Sequence, residues 1–551
     1  MKVSKSQSAS SRSRLRTPLS TAWKYRQYKN IGRARKAVAS VVMSSPLFVA
    51  SESQRQRAPG ASVASGHTVE NSIPLSIFPI QLDKFCICIC GLPGMGKTHI
   101  ARRLDRYLSF FHAVPVAMYN ASEYRREKFG LWTSNKYFDQ TNQANRQMMD
   151  DVNGMILGEM RDFLNRTPNG VAILDSSSLL LTNERRLEVQ KMVNSAGAKV
   201  MFIEVMNEGG KDGGEELRVP YDSPDYAGMS PEEAEKDYTA RVEIYRKSWQ
   251  SLNSAETEGK EDSWSYLQCD PYRKHFVIHN VSGYLQLKIV HFTINLKPDV
   301  ANLYLSRHGQ SEYNALGRIG GDSSLSEHGL SYARKLADWV REEMTAEIDE
   351  ETGEKTEVPC RLWTSTMKRT KETAQFISSH KFKVKDKHNP SVVHEWVQMR
   401  ARAWHHLDEL FAGQCDGMTY EEIGEMYPEE FRRRKTDKLA YRYPRGESYL
   451  DVIARLEPMI IEMERHQEPL LVIGHQGILR IIYAFYMGLS RAEAPYVSIP
   501  LNTVTHLKPG AFSCGVERTT LYKIELPSDG QDEPLAVRME RMQAVNDPSS
   551  H

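Results

Sequence analysis

One stretch, Phe85–Ile100 (FCICICGLPGMGKTHI), constrains the fold of this chain more than any other. Its first six residues alternate cysteine with Phe or Ile, as the two faces of a buried strand do. GLPGMGKT follows at once and matches G-x-x-x-x-G-K-[ST], a loop that holds phosphates between a strand and a helix. This order of elements predicts a parallel α/β sheet with a phosphate site at its edge.

The glycine loop supplies three kinds of phosphate-binding group. Its backbone N–H groups can approach phosphate oxygens closely, and Lys97 adds a point charge. Thr98 offers its hydroxyl to Mg²⁺, and the helix that begins near Thr98 points its positive end at the same phosphates. The predicted nucleotide-binding residues are Gly91, Gly94, Gly96, Lys97 and Thr98.

Neighbouring segments extend this sheet and its site. PVAMYN, GVAILD and KVMFIEV alternate with helical segments, a pattern typical of a parallel sheet covered by helices. GVAILD ends at Asp175, which we interpret as a carboxylate for Mg²⁺, with a cap on the next helix as the alternative. Arg125 and Arg126 stand at the predicted end of PVAMYN, where two guanidinium groups could hold an anionic acceptor.

The three cysteines of the first strand allow two interpretations. Cys86, Cys88 and Cys90 would share one strand face and serve as small hydrophobic residues. A metal site is the less favoured alternative, because metal ligands usually lie on loops at wider spacing, with partners elsewhere.

A second site is indicated by histidines at the ends of two later strands. The strand NLYLS leads into RHGQSEYNALGRIGGD, and PLLVIGHQGILR places a histidine in the same way. His308 and His475 would then face one anion at the crevice beyond the strands. One can attack a phosphoryl group as a neutral imidazole while the other stabilises charge. The guanidinium groups of Arg307 and Arg369 match phosphate oxygens, and Glu409 is a candidate acid for the departing oxygen.

Composition restricts the remaining functions. Apolar and charged contents of 40% and 26% are ordinary for a globular protein, and a net charge of +2 over 551 residues gives no indication of nucleic-acid binding. The sequence has no run of about 18 or more apolar residues, so no membrane span is predicted. Seven scattered cysteines favour a reducing compartment over a disulfide framework.

The N-terminal segment differs from the rest of the chain. Its first 50 residues hold eleven Lys and Arg and no Asp or Glu, and a segment of this polarity is predicted to be disordered because it cannot bury a core. One interpretation is a basic arm with sites such as Thr17 that binds regulatory kinases or other partners. The alternative is a transit peptide; a secretory signal is disfavoured because a continuous apolar region is missing.

The motifs together resemble one family. RHGQSEYNALGRIGGD with the later GHQ resembles the histidine phosphatase (phosphoglycerate-mutase-like) superfamily, while GLPGMGKT and EYRRE resemble a P-loop sugar kinase. Over residues 85–526 the chain is similar to the 6-phosphofructo-2-kinase/fructose-2,6-bisphosphatase family, with further matches at SPDY, TYEEI, YPEEF, YRYPRGESY, RLEPMI and PLNTVTHL. The resemblance implies two doubly wound α/β domains in tandem. These are a P-loop kinase over residues 76–298 and a histidine phosphatase over 299–526, between a disordered basic arm at 1–75 and a flexible tail at 527–551.

The resemblance also implies residue roles. His308 becomes phosphorylated with Arg307, Arg369 and His475 around the phosphate, and Glu409 protonates the departing sugar oxygen. ATP and Mg²⁺ serve the kinase, with Lys97 and Asp175 catalytic and the metal at Thr98 and Asp175, while the phosphatase needs no cofactor. The implied substrate-binding residues are Arg125, Arg126, Arg241 and Tyr245 in the kinase, and Asn314, Gly320, Tyr420, Arg442, Arg445, Gln476 and Arg480 in the phosphatase.

Departures from the family pattern are concentrated in the kinase half. The family's A-T-N-T-T-R-E-R-R is replaced after Asp175 by SSSLLLTNERR, which is two residues longer and lacks an Arg before Glu184. The family's Lys ahead of SPDY falls at Pro220, with Arg218 the nearest basic residue, and NEGGKDGGEE replaces a helix with a glycine-rich loop.

Three hypotheses follow from this pattern. The first is a bifunctional enzyme that controls fructose 2,6-bisphosphate, with ATP, fructose 6-phosphate and fructose 2,6-bisphosphate as its ligands. The second is a phosphatase with a degenerate, nucleotide-binding kinase half, and the third is a non-enzymatic scaffold. Retention of Lys97, Asp175 and the arginine pair favours the first. We expect a cytoplasmic protein, with organelle targeting as the alternative, that forms a homodimer.

Overall fold

The computed structural model describes residues 84–130, 135–139, 142–206, 223–226, 228–252, 263–270, 275–297, 301–348, 355–385, 392–510 and 513–523. The predictions for the basic arm, for Arg218, Pro220 and NEGGKDGGEE, and for the tail lie outside these residues. None of the described helices is long and apolar enough to cross a membrane.

The first half is built on a six-stranded sheet. Its strands are β1 (Phe85–Cys90), β2 (Val116–Asn120), β3 (Val171–Asp175), β4 (Lys199–Val205), β5 (Tyr266–Asp270) and β6 (His275–His279). Its helices are α1 (Lys97–Phe111), α2 (Ala121–Phe129), α3 (Gln143–Arg166), α4 (Asn183–Ser195), α5 (Pro231–Arg246) and α6 (Tyr284–Asn295). The order is β2-β3-β1-β4-β5-β6, and every pair is parallel except β5 with β6.

The alternation of FCICIC separates the two faces of β1. Ile87 and Ile89 belong to the hydrophobic cluster that contains α1, whereas the three cysteines are buried in a second cluster with residues of α3 and α4. The cysteines of this strand are therefore part of the hydrophobic core, as the favoured interpretation predicts. Because β2 and β4 lie on opposite sides of β1, the chain reverses its direction of sheet growth here, and the phosphate loop stands where such sheets bind ligands.

The second half has its own six-stranded sheet, of order β13-β10-β14-β7-β15-β16. The strands here are β7 (Leu303–Arg307), β8 (Ala346–Ile348), β9 (Lys355–Glu357), β10 (Arg361–Thr364), β11 (Lys381–Lys385), β12 (Val393–Val397), β13 (Ala401–Ala403), β14 (Leu470–Gly474), β15 (Thr503–Pro509) and β16 (Cys514–Thr520). Strands β13, β10, β14 and β7 are parallel, while β15 and β16 add antiparallel pairs. Two small antiparallel pairs, β8–β9 and β11–β12, lie outside this sheet.

The helices of the second half follow its parallel strands. They are α7 (Glu312–Ala315), α8 (Glu327–Trp339), α9 (Lys368–Ala374), α10 (Tyr420–Met426), α11 (Pro428–Thr436), α12 (Tyr449–Arg465) and α13 (Gln476–Met487). The neighbours β7 and β14 pair with Arg307 opposite Gly474, so the residues that follow both strands meet at one edge of the sheet.

The two halves are packed together through α1, α12 and α13, and one hydrophobic cluster contains residues of all three helices. The rings of Phe110 and Phe111 lie 5.9 and 5.3 Å from the ring of Phe485. A buried ion pair joins Arg103 of α1 to Glu464 of α12 at 2.5 Å. The helix that begins at the phosphate loop thus packs directly on the second half.

Candidate active sites

His308 and His475 meet at the edge of the second sheet. They follow the adjacent parallel strands β7 and β14, both are buried, and their ring centroids are 5.1 Å apart. The structure therefore brings together the two histidines that the sequence places after separate strands.

The protein holds His308 in one tautomer. Its Nδ1 lies 2.7 Å from the carbonyl oxygen of Gly309, and since a carbonyl only accepts, Nδ1 must carry the proton. Nε2 then presents a lone pair and accepts from Arg369 Nε at 3.2 Å. Burial, followed by the charges of Arg369 and Arg307, lowers the pKa of His308 well below its usual value. His308 is therefore a neutral imidazole with its nucleophilic nitrogen on the arginine side.

Arginines and loop residues complete this phosphate site. Arg369 is buried and donates from Nη1 to the carbonyl of Gly321 at 2.7 Å, while buried Arg307 donates to the carbonyl of Ile499 at 3.1 Å. Asn314 is oriented by the N-terminal cap of α7, where its Oδ1 accepts from the backbone N–H of Ser311 at 3.1 Å.

A glycine is required in the neighbouring loop. Gly320 has φ of +69°, and a Cβ there would lie 1.8 Å from an oxygen of Asp416, so only glycine fits. Gly320 therefore shapes the loop through its backbone conformation.

Glu409 lies beside the helix that follows His475. The backbone N–H of Leu410 donates to its Oε1 at 2.9 Å, and that of Gly477 donates to its Oε2 at 3.3 Å. A Cβ at Gly477 would lie 2.6 Å from the Glu409 carboxylate, so a side chain at this position would displace the carboxyl group. The carboxyl group is thus held at the N-terminus of α13, two residues beyond His475.

The predicted sugar-binding residues divide into two groups. Arg480 donates from Nε to the carbonyl of Val497 at 2.6 Å and lies 3.4 Å from the hydroxyl of Tyr449, while Gln476 begins α13. Arg442 instead forms a forked ion pair with Asp451, and Arg445 is exposed with φ of +59°. Arg480 and Gln476 therefore lie on the helix that follows His475, whereas the guanidinium of Arg442 is bound by the carboxylate of Asp451.

Arg434 contacts Tyr420, one of the predicted sugar-binding residues, and the sequence did not reveal this contact. Its guanidinium stacks over Tyr420 at 4.8 Å and also donates to the Tyr420 hydroxyl at 2.9 Å. The ring centroid of Tyr443 lies 5.9 Å from the same guanidinium. In RRRK three successive arginines look alike, and only the turn of α11 decides which one faces the tyrosines.

The glycine loop of the first half opens into a cavity of about 320 Å³. Gly91, Gly94 and Gly96 all have positive φ, which turns the backbone as a phosphate loop requires. Lys97 is buried and donates to the carbonyl of Leu92 at 2.6 Å. Burial lowers the pKa of Lys97 to about 8, although nearby Asp175 raises it. Lys97 is still mainly charged at neutral pH.

Thr98 of α1 meets Asn120 and Asp175, the last residues of β2 and β3. The Thr98 hydroxyl donates to Asp175 Oδ2 at 2.6 Å, and the Asn120 amide donates to the same oxygen at 2.5 Å. The alternative of Asp175 as a helix cap is wrong, because Thr182 caps α4. A hydroxyl and one carboxylate fit Mg²⁺, which usually takes few protein ligands and completes its shell with water and phosphate oxygens. The sequence did not reveal the contact of Asn120 with Asp175, because a single asparagine at the end of a strand forms no recognisable motif.

Three arginines line the same cavity. Arg125 and Arg126 lie within α2, one helical turn beyond the strand end predicted for them, and both pair with Asp225 of SPDY. Arg241 lies 4.1 Å over the ring of Phe138, and Tyr245 is buried beside it. Arg125 and Arg126 thus share the carboxylate of Asp225, and Arg241 lines the same cavity. The partner role of Asp225 was missed, since it lies 100 residues from Arg125.

A P-loop kinase fold followed by a histidine phosphatase fold is the class of protein that these two sheets and sites define. Residues 76–299 match the family model described as 6-phosphofructo-2-kinase, and residues 303–520 match the histidine phosphatase superfamily (branch 1). The chain belongs to the family of bifunctional 6-phosphofructo-2-kinase/fructose-2,6-bisphosphatases. The resemblance and the fold class inferred from the sequence are thereby confirmed.

Curated relatives cover most of the chain. A 6-phosphofructo-2-kinase/fructose-2,6-bisphosphatase of Gallus gallus is 34% identical over 497 residues, which is 87% of this chain and 97% of the relative. The protein of that name from Caenorhabditis elegans is 36% identical over 450 residues, 80% of this chain and 89% of the relative. A fructose-2,6-bisphosphatase of Saccharomyces cerevisiae is 34% identical over 453 residues, with coverage of 81% and 90%.

Proposed function

We propose that this chain both makes and hydrolyses fructose 2,6-bisphosphate. Its kinase half transfers a phosphoryl group from ATP to the 2-hydroxyl of fructose 6-phosphate, and its phosphatase half removes the same group through a phosphohistidine. The observation that carries the phosphatase assignment is buried, neutral His308, whose Nε2 lone pair lies beside Arg369 and His475. Family membership supports the pairing of the two activities.

The phosphatase reaction uses the residues at the ends of β7 and β14. His308 Nε2 attacks the 2-phosphoryl group, while Arg307 and Arg369 neutralise the charge on its oxygens. Glu409 protonates the departing fructose oxygen, which leaves poorly as an anion. The carboxylate so formed can take a proton from the water that then hydrolyses the phosphohistidine. Asn314, Gly320, His475, Gln476, Tyr420, Arg442, Arg445 and Arg480 are the proposed supporting residues.

The kinase reaction relies on positioning and charge. Backbone N–H groups of the glycine loop and Lys97 would hold the ATP phosphates, and Thr98 and Asp175 would hold Mg²⁺, which neutralises phosphate charge when bound. Arg125, Arg126, Arg241 and Tyr245 would hold fructose 6-phosphate. The segment after Asp175 is longer than in the family pattern, and its residues Leu179, Leu180 and Leu181 are buried. The contact between Thr98 and Asp175 is present beside this longer segment, which supports a working kinase.

The proposal also covers the domain boundaries, the oligomeric state and the cellular compartment of the chain. We assign the kinase to residues 76–298 and the phosphatase to 299–526, in a cytoplasmic homodimer. The basic arm would bind regulatory kinases or other partners. Size-exclusion chromatography with light scattering tests the dimer, and a fluorescent fusion tests the compartment.

Two separate incubations of pure protein test the function. ATP with fructose 6-phosphate should yield fructose 2,6-bisphosphate, and fructose 2,6-bisphosphate labelled at the 2-phosphate should yield an acid-labile phosphoenzyme and inorganic phosphate. His308→Ala should trap no label and lose several powers of ten in phosphatase rate, while kinase activity remains. Label in His308→Ala would contradict the nucleophile, and a wild type that binds ATP without forming product would support the degenerate-kinase hypothesis.

A further inference from the structure

Tyr238 brings a phenol group from helix α5 to the glycine loop of the kinase half. The side chain is 2% exposed and lines the cavity into which the loop opens. A Cβ at Gly94 would lie 2.5 Å from the hydroxyl oxygen of Tyr238, which shows how closely this hydroxyl approaches the loop backbone. The hydroxyl of Tyr238 therefore lies beside the loop that is proposed to bind phosphate.

Packing around α5 fixes the direction of this ring. Tyr238 is buried in a small hydrophobic cluster with Tyr226 and Val242. The rings of Tyr226 and Tyr238 meet edge to face, with their centroids 5.9 Å apart and an interplanar angle of 82°. Because these contacts hold the ring in place without a ligand, the hydroxyl is already oriented for binding, and little ordering of the side chain is needed when a ligand enters.

Lys97 and Arg241 indicate which end of a nucleotide would face Tyr238. In a loop of this motif the lysine reaches the β- and γ-phosphates. Arg241 follows Tyr238 by about one turn of α5, so both side chains lie on one face of the helix. Burial and, to a smaller extent, the charge of Arg241 lower the pKa of Lys97, which shows that the two cations lie near each other. Tyr238 therefore faces the γ-phosphate end of the loop, on the side of the arginines proposed for the sugar phosphate.

The hydroxyl of Tyr238 is available as a hydrogen-bond donor. Within the described part of the chain, no residue forms a hydrogen bond with its oxygen. Burial raises the pKa of Tyr238, with the charge of Arg241 opposing this shift, so the phenol keeps its proton at neutral pH. Ionised phosphate oxygens only accept hydrogen bonds, whereas a neutral phenol can donate one. The hydroxyl and a phosphate group are thus complementary.

We propose that the Tyr238 hydroxyl donates a hydrogen bond to a γ-phosphate oxygen of bound ATP. The contact adds a neutral donor to the charges of Lys97 and Arg241, between the nucleotide and the acceptor sugar. ADP lacks this acceptor, so the hydroxyl distinguishes the triphosphate from the diphosphate. A hydrogen bond to a charged group corresponds to about 10–10²-fold in affinity. This inference rests on the proposed binding of ATP by the glycine loop.

Nucleotide binding by Tyr238→Phe tests this contact. Isothermal titration calorimetry of the full-length protein with ATP or with ADP, each with Mg²⁺, measures the two affinities. We expect Tyr238→Phe to bind ATP about 10–10²-fold more weakly than the wild type, whereas its affinity for ADP changes little. Tyr119→Phe is the matched control and should bind both nucleotides as the wild type does. The hydroxyl of buried Tyr119 donates to the carbonyl of Glu159 at 3.3 Å, and Tyr119 does not line the cavity.

Three results would overturn the proposal. Equal ATP affinity in the wild type and Tyr238→Phe would exclude the contact, and an equal loss of ATP and ADP affinity would place it away from the γ-phosphate. A loss confined to the affinity for fructose 6-phosphate would assign the hydroxyl to the sugar instead. The kinase activity is tested separately, because a wild type that binds ATP but forms no fructose 2,6-bisphosphate would refute that activity alone. A wild type that binds neither nucleotide would refute both.

Discussion

At the scale of single residues, the protein sets the charge of its reactive groups by burial and by the nearest ions. Lys97 and His308 are both buried, which disfavours the charged form of each, yet the two groups remain in opposite states at neutral pH. Asp175 helps Lys97 to keep its proton, whereas Arg369 and Arg307 help His308 to lose its own. As a result, Lys97 is positively charged and can bind phosphate, whereas His308 is neutral and can act as a nucleophile.

The kinase activity should depend on the charge of Lys97. Since burial lowers the pKa of Lys97 to about 8, the charged form is present below that pH and lost above it. We expect kcat/KM for ATP, which reports the free enzyme, to fall as pH rises through about 8. Lys97→Arg, which keeps its charge, should lack this alkaline decline, and Lys97→Met should abolish kinase activity. A decline shared by wild type and Lys97→Arg would assign the titration to another group.

Glu409 should control cleavage of the fructose oxygen. Glu409→Gln removes the proton donor but keeps the shape of the side chain, so single-turnover phosphoenzyme formation should slow by about 10²–10⁴-fold. Sugar binding and kinase activity should change little. Rapid-quench measurement of the phosphoenzyme checks this, and a rate equal to that of the wild type would exclude Glu409 as the acid.

At the scale of secondary-structure elements, helix α12 holds the loop that carries Glu409. Arg455 donates to the carbonyl oxygens of His406, Asp408 and Glu409 at 2.5, 2.7 and 3.3 Å. Its guanidinium also forms an ion pair with Glu447 at 2.8 Å. One side chain thus ties three carbonyl groups of the loop backbone to a helix, which orients the carboxyl group without touching substrate.

Replacement of Arg455 should loosen this loop. In Arg455→Met the three carbonyl groups lose their donor, and each unsatisfied polar group costs about 1–3 kcal/mol. We expect phosphoenzyme formation to slow by about 10–10²-fold, as displacement of a positioned group does, with kinase activity unchanged. Arg465→Met on the same helix, where the arginine is 59% exposed and pairs with Glu462, is the control. Equal rates in the two variants would remove Arg455 from the catalytic geometry.

At the scale of the whole molecule, the two halves share part of their core. The buried pair Arg103–Glu464 links α1 to α12, and Tyr107 of α1 donates to Glu457 of α12 at 2.6 Å. Arg491 donates to the carbonyl oxygens of Phe110 and Phe111 at the end of α1. Because the phosphate-loop helix makes these contacts, we expect the kinase half to depend on the phosphatase half for stability.

The ion pair provides the test of that dependence. Glu464→Gln leaves the Arg103 guanidinium buried and unpaired, so the free energy of unfolding should fall by about 3–5 kcal/mol. The double change Arg103→Met with Glu464→Met should recover most of this loss. Glu462→Gln, which removes a partly exposed pair on the same helix, should cost about 0–1 kcal/mol. Urea denaturation measures all three, and a loss below about 1 kcal/mol in Glu464→Gln would refute the role of the pair.

The positions of both sites along the chain can be predicted from the sequence. A strand, a glycine loop and a helix follow one another within Phe85–Ile100, and His308 and His475 each follow an apolar strand. Such short-range patterns predict elements because alternation and backbone turns depend on neighbouring residues. These patterns placed Arg125 and Arg126 at the end of β2, whereas both lie about one turn into α2. The same patterns did not reveal the antiparallel strands β6, β15 and β16.

The contacts between side chains depend on how the chain packs in three dimensions. Ser365 and His475 are separated by 110 residues, and Arg125 and Asp225 by 100, yet each pair is in direct contact. No local periodicity encodes such contacts, because they arise when distant elements pack against a common sheet edge. The tautomer of His308 and the charge of Lys97 both depend on such contacts and on burial. The chemistry of both sites is therefore a property of the packed molecule.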